Sequence, residues 1–360
     1  MAHSIIIFPN RVMLFVLCFL TKSLVLIQGQ QQVPCTFFMG DSLSDNGNNN
    51  LLVTLAKSNY PPYGTDYPGG PTGRFTNGKT VPDFIAELLG FDKPIPAFAT
   101  AVGSAILKGV NYASAAAGIL DETGIAVGDR ISLNRQLLNH KATIASLSLL
   151  LGPARLKDHL NKCLYAVNMG SNDYLNNYLL PQFYPSSKLY TPDQFSAFLI
   201  HQYSQQLKTL YEDGARKVAV FGLGPIGCVP PLLAMYPVNE SGCVDFINEY
   251  VKLFNDRLKP LVEDLNTNLP AAKFTYINIT SISLGIFSLP GITVSNYSCC
   301  EVGIALCEPY QVPCSRRNQY IFFDDYHPTQ VVNQYTAARI YNALLPSDAY
   351  PFDIHQLARQ

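Results

Sequence analysis

Three residues with the chemistry of acyl transfer stand far apart along this chain. Ser42 follows the apolar run Cys35 to Met39, in the tetrapeptide Gly40-Asp41-Ser42-Leu43. Asp324 and His327 lie near the other end, in Phe322-Phe323-Asp324-Asp325-Tyr326-His327-Pro328. An imidazole that takes the serine proton turns a weak hydroxyl into a nucleophile. A carboxylate on the far ring nitrogen selects the tautomer that can accept that proton. One turn of Asp-x-x-His spacing brings Asp324 within reach of His327, and Asp325 is then a solvated or structural neighbour. Each piece has a plainer reading by itself. A serine after a strand is commonly a helix cap, and a lone Asp-x-x-His is a weak signal. Asn172, in Gly170-Ser171-Asn172-Asp173, follows the run Cys163 to Met169, where asparagine is ordinarily a turn residue.

These residues need elements to hold them. The apolar runs Cys35 to Met39, Val110 to Ala113, Cys163 to Met169, Lys217 to Phe221 and Lys273 to Ile279 end at small or turn-forming residues, as buried parallel strands do. Helical spacing lies between and beyond them, over Val81 to Leu89, Thr191 to Tyr211, Asp245 to Leu265 and Pro328 to Leu345. This alternation predicts an α/β fold: a single-domain three-layer α/β/α sandwich on a mainly parallel sheet, spanning residues 30–360. Sites in such sheets form at strand ends. Gly40 permits a tight turn and would set Ser42 at the start of a helix, whose N–H groups and dipole favour a developing oxyanion. Residues 57–80, rich in Pro, Gly, Tyr and Thr, read as a long loop near the site.

Taken as an ordered set, the motifs resemble the plant GDSL esterase/lipase family, part of the wider SGNH hydrolases. The resemblance rests on Ser42 in Gly-Asp-Ser-Leu, on Val110-Asn111-Tyr112-Ala113-Ser114, on Gly170-Ser171-Asn172-Asp173, and on Asp324 with His327. Asp45-Asn46-Gly47-Asn48-Asn49 and Gly73-Arg74-Phe75-Thr76-Asn77-Gly78 are similar to family segments too. It implies a serine esterase or lipase acting through an acyl-enzyme, with Ser42, Asp324 and His327 catalytic and no cofactor or metal. It also implies an oxyanion hole from the N–H of Ser42, a backbone N–H of the second block and the Asn172 amide. Where relatives have Gly-Gly, this chain reads Ala115-Ala116-Ala117-Gly118. Counting from Asn111 puts the donor at Ala116, with Gly118 the alternative. The expected substrate is a small-molecule or polymeric ester. Two rivals stand beside hydrolysis: an acyltransferase on the same site, and a non-catalytic wall protein that binds carbohydrate or lipid.

The N-terminus and the cysteines point to export. Arg11, the apolar run Val12 to Leu20 and Ile27 with Gly29 follow the order of a secretory signal over residues 1–29. Lys22 leaves each apolar piece short of the ~20 residues of a spanning helix, so no anchor is expected after cleavage. Cleavage changes the formal charge from −1 to −3, since Arg11 and Lys22 leave and no acid does. No basic patch suits a nucleic acid. Of nine cysteines, Cys18 leaves with the signal, and the remaining even number favours disulfides. Cys228 and Cys243 flank one loop and are expected to pair. Cys299 and Cys300 are expected to take separate partners. Asn239, Asn278 and Asn296 head glycosylation sequons. The expected location is extracellular, in the cell wall or apoplast, with oligomeric state open. Gly73 to Thr80 matches a phosphate-loop pattern, but no strand precedes it and export removes the chain from cytosolic nucleotide. The Gly-x-Ser-x-Gly elbow of α/β-hydrolases is absent.

Overall fold

Four of the apolar runs become adjacent strands of one sheet: β1 (Thr36–Gly40), β2 (Leu164–Asn168), β3 (Lys217–Phe221) and β4 (Lys273–Ile277). The computed structural model describes residues 31–238 and 240–360, so the expected signal 1–29 and the sequon at Asn239 lie outside the described residues. The four strands are parallel and sit in chain order, with Phe37 level with Tyr165 and Ala166 level with Ala219. A parallel pair, β5 (Val294–Ser298) and β6 (Tyr320–Phe322), forms a separate small sheet. The two-residue β7 (Ala349–Tyr350) closes the β4 edge antiparallel.

Seven helices matter for the site and its support: α1 (Val81–Leu88), α2 (Leu133–Leu151), α3 (Pro153–Lys162), α4 (Pro192–Glu212), α5 (Asp245–Asn268), α6 (Gln330–Tyr341) and α7 (Ile354–Ala358). Side chains alternate across a strand, and this sheet is apolar on both sides. Phe37, Tyr165 and Val218 pack with Leu137 of α2, Tyr203 of α4 and Phe254 of α5. Phe38, Ala166 and Ala219 pack on the other face with Ile85 of α1, Ile340 of α6 and Leu357 of α7. The expected three-layer sandwich is present. No helix among the described residues is long and apolar enough to cross a membrane.

Val110 to Ala113 departs from its reading as a full strand. It makes only bridges, from Asn111 to Phe38 and to Ala97. Gly109, at φ 114°, lies so close to β1 that a Cβ would meet the Thr36 carbonyl. The Asn111 side chain then turns inward to the Ser44 carbonyl and the Ala113 N–H, bending the chain off the ladder. Helix α6 is shorter than expected because Thr329 N–H still bonds β6 at Ile321, and the Asp348 carboxylate captures the N–H groups of Leu344 and Leu345. The cysteines pair as Cys35–Cys163, Cys228–Cys243, Cys299–Cys314 and Cys300–Cys307. The local 228–243 bridge and the separate partners of Cys299 and Cys300 are as expected.

Candidate functional site

Ser42 lies two residues past Gly40, the last residue of β1, and a hydrogen-bonded clamp fixes that exit. Gln136 of α2 accepts from the Gly40 N–H at 2.9 Å and donates to its carbonyl at 2.8 Å. A Cβ at Gly40 would lie 2.8 Å from the Asn168 carbonyl, so the close approach of β2 requires glycine. The expected helix at Ser42 does not form. The Asp41 carbonyl accepts from Ser44 and Asp45 N–H in a single turn, and then the Asp45 carboxylate takes the N–H groups of Gly47 and Asn48. Aspartate outcompetes the helix for its backbone donors, so the N–H of Ser42 belongs to an isolated turn.

Asp324 and His327 leave β6 in a tight loop bridged between Phe322 and Pro328. Asp324 Oδ1 accepts the N–H groups of Tyr326 at 2.9 Å and His327 at 2.8 Å, an Asx-type turn. That turn delivers the ring: His327 Nδ1 lies 2.8 Å from each Asp324 oxygen, and His327 Nε2 lies 2.7 Å from Ser42 Oγ. Asp324 is wholly buried and His327 nearly so. Asp325 stays outside this chain of bonds and accepts from Ser298 Oγ. The three predicted residues thus form one continuous hydrogen-bonded line across distant segments. Proton transfer from a hydroxyl to an imidazole braced by a carboxylate is what this line can do.

Around Ser42 opens a cavity of about 440 Å³, lined also by Ala116, Asn172, Phe75 and Leu55. The N–H groups of Ser42 and Ala116 donate to no protein group among the described residues. Asn172 Nδ2 gives one hydrogen to the Ala117 carbonyl at 3.0 Å, while its Oδ1 accepts from Asn176. The second amide hydrogen is therefore unspent. Gly118 does not line this cavity, and a Cβ there would meet Asp173 Oδ1 at 2.6 Å, so its glycine serves packing. Ala116 sits at φ 64°, in the left-handed region that costs a non-glycine residue about 1–2 kcal/mol.

The family of GDSL-like lipase/acylhydrolase proteins matches this chain over residues 36–340, nearly the whole described fold. The chain belongs to that family. GDSL-family enzymes are carboxylic ester hydrolases, and this chain is one by membership. A GDSL esterase/lipase of Arabidopsis thaliana is 51% identical over 356 residues, covering 97% of each chain. A second from Arabidopsis thaliana is 48% identical and covers 92% of this chain and 93% of its own. A third from the same plant is 46% identical, covering 92% of this chain and 94% of its own.

The structure gives the secondary GDSL-family segments a physical purpose. Asn48 donates to the carbonyls of Asn111 and Ala113, Asn49 to that of Ala115, and Asp45 accepts from the Ala115 N–H. The 45–49 segment thereby pins the loop that carries Ala116. Asp173 holds the far end of that loop through the N–H groups of Ile119 and Leu120 and the Thr123 hydroxyl. Burial raises Asp41 and Asp45 to about 6 and Asp173 to about 7. The phosphate-loop look-alike is spent internally: Arg74 pairs with Asp83, Lys79 with Glu87, and Thr80 caps α1.

Tyr63 is a site residue that no sequence motif marks. Its buried hydroxyl donates to Asp324 Oδ2 at 2.6 Å and accepts from Cys307 N–H at 3.1 Å. Burial and the Asp324 charge hold this phenol well above its ordinary range, so it stays a donor. It lies in the 57–80 loop expected near the site, whose Phe75 packs on the His327 ring at 4.9 Å between centroids. Its neighbours in sequence gave no signal beyond that placement. Of the sequons, Asn296 is exposed, while Asn278 is half-buried and caps the Ile279–Leu284 helix through its side chain.

Proposed function

We propose that this protein is a secreted serine esterase or lipase that works through an acyl-enzyme. The supporting observation is the line Ser42 Oγ, His327, Asp324, closed at 2.7 and 2.8 Å beside three unspent N–H donors. His327 takes the Ser42 proton as Oγ attacks the ester carbonyl. The oxyanion that forms is held by the N–H groups of Ser42 and Ala116 and by the Asn172 amide. His327 then gives the proton to the departing alcohol, and a water activated by the same imidazole releases the acid. Asp324 holds the ring through Nδ1 and stabilises the imidazolium in both halves.

Four disulfides fit an oxidising compartment, which supports reading residues 1–29 as a cleaved signal and the cell wall or apoplast as destination. The test is a panel of activated esters given to the purified secreted protein and to four variants. Ser42→Ala and His327→Ala should each remove nearly all turnover, and the double variant little more, because such groups act as a unit. Asp324→Asn should be nearly as severe. Asn172→Ala should lower kcat by ~10²–10³ with KM little changed. Normal turnover by Ser42→Ala would end this reading. Product analysis with added alcohols separates hydrolysis from acyl transfer.

A further inference from the structure

A second cavity, of about 150 Å³, adjoins the one that holds Ser42. The two share Leu43, Ser171, Ile226, Val229 and Tyr326 as walls, so one layer of side chains divides them. Leu43 and Ser171 directly follow and precede the residues that carry the proposed chemistry, Ser42 and Asn172. The rest of the second cavity is mainly apolar, with Phe221 at the end of β3, Ile321 and Phe322 of β6, Val332 of α6 and Ile286, while Asn168, Ser283, Asn333 and Thr336 also reach its wall. No charged residue lines it. The main cavity, by contrast, carries Asp41, Glu308 and His327 in its lining.

We infer that this second cavity takes an unbranched hydrocarbon tail of the ester substrate, about six carbons long. The inference rests on the esterase reading for the position of the carbonyl. Size and polarity set the ligand: a mainly apolar cavity of this volume has room for a group about the size of benzene. A tail leaving the carbonyl at Ser42 passes Leu43 and enters between Ile226 and Tyr326. Leu43 and Tyr326 are both half-buried, so the dividing layer is made of side chains with one face already free. A carbohydrate moiety would bury most of its hydroxyls against apolar walls, which is costly. A polyester or lipid chain would not.

Gly224 gives a direct handle. A Cβ at this position meets Ile279 at 3.3 Å and Ser283 at 3.8 Å, both walls of the cavity, so a side chain there grows into the space. The tail belongs either to the acid or to the alcohol, and two substrate series distinguish these: p-nitrophenyl esters of linear acids, and acetates of linear alcohols, each from two to twelve carbons. In one series kcat/KM should climb about three- to fourfold per methylene up to about six carbons and then level. Gly224→Leu should end the climb several carbons earlier while leaving two-carbon turnover unchanged, and Ser283→Leu should do the same from the opposite wall. Ile286→Ala should extend it. Calorimetric titration of 1-hexanol into the Ser42→Ala protein reads the cavity without turnover, and this binding should vanish on adding Gly224→Leu. Active enzyme with two flat series, or an unchanged profile in both filling variants, would overturn the inference alone. Hexanol binding lost on filling, in a protein that hydrolyses no ester, would instead sink the esterase reading and keep the cavity.

Discussion

Tyr63→Phe separates what holds the site together from what does its chemistry. The substitution deletes one oxygen and leaves the ring contacts with Phe75 and Phe323 in place. Two hydrogen bonds go with it. One is the 2.6 Å bond to the buried Asp324 carboxylate, of a kind worth about 1.5–3 kcal/mol. The other strands the Cys307 N–H, whose residue is 1% exposed, and an orphaned buried donor costs about 1–3 kcal/mol. Both bonds share one hydroxyl and the loop can relax, so the net loss in folding stability should be about 2–4 kcal/mol. Catalysis should suffer less. Asp324 Oδ1 keeps the N–H groups of Tyr326 and His327, and both carboxylate oxygens still face Nδ1. The imidazole therefore keeps its tautomer and direction, and kcat on a short ester should fall no more than about tenfold, or about 1.4 kcal/mol. Urea unfolding read by fluorescence or circular dichroism gives the first quantity, and initial rates at saturating ester give the second. An unchanged urea midpoint would refute the energetic reasoning. A kcat loss as deep as that of Asp324→Asn would show that Tyr63 belongs to the chemistry itself.

Two further outcomes follow from the loops around Ser42. Ala116→Gly should relieve about 1–2 kcal/mol of left-handed strain against a glycine entropy cost of about 0.5–1 kcal/mol. It should thus keep full kcat and raise stability by up to ~1.5 kcal/mol; a destabilised variant would mean that Ala116 is not strained. Asp41, Asp45 and Asp173 hold their protons more tightly when folded, at about 6, 6 and 7 against 3.8 unfolded. The native state binds more protons across that window, so stability should fall as pH rises from about 4 to 7 and then level, by on the order of a few kcal/mol. Asp66, Asp83 and Asp129, lowered through their partners Arg317, Arg74 and Arg135, act in the opposite sense only at lower pH. His140, lowered to about 3 by burial, opposes the trend up to about pH 6.5 and offsets part of it. A urea midpoint higher at pH 8 than at pH 5 would contradict this.

How far the sequence could be read depended on what kind of force shapes each part. The buried strands were legible because a sheet covered on both faces needs unbroken apolar runs, and Lys217–Phe221 begins and ends where the run does. Helix α2 was not, because Leu138 and Leu149 lie exposed on its outer side and blur the helical period. The serine, histidine and aspartate were legible from residue type and order. The turn at Ser42 was not, since it depends on Asp45 drawing Gly47 and Asn48 out of a helix. Ala116 was placed by counting, yet its positive φ is a backbone property that its side chain would argue against. Tyr63 was invisible for a different reason: its role arises from a contact with Asp324 across 261 positions of chain, and nothing local marks it.

On the proposed mechanism, His327 makes Ser42 nucleophilic. A fluorophosphonate tests it directly, since attack by an activated serine oxygen on phosphorus expels fluoride and leaves a stable adduct. The protein should take up one phosphonyl group in step with loss of ester turnover, and peptide mass spectrometry should find it on the segment holding Ser42. His327→Ala should label orders of magnitude more slowly, though its Ser42 is intact. Stoichiometric labelling at another residue, or full inactivation with Ser42 unmodified, would contradict the account.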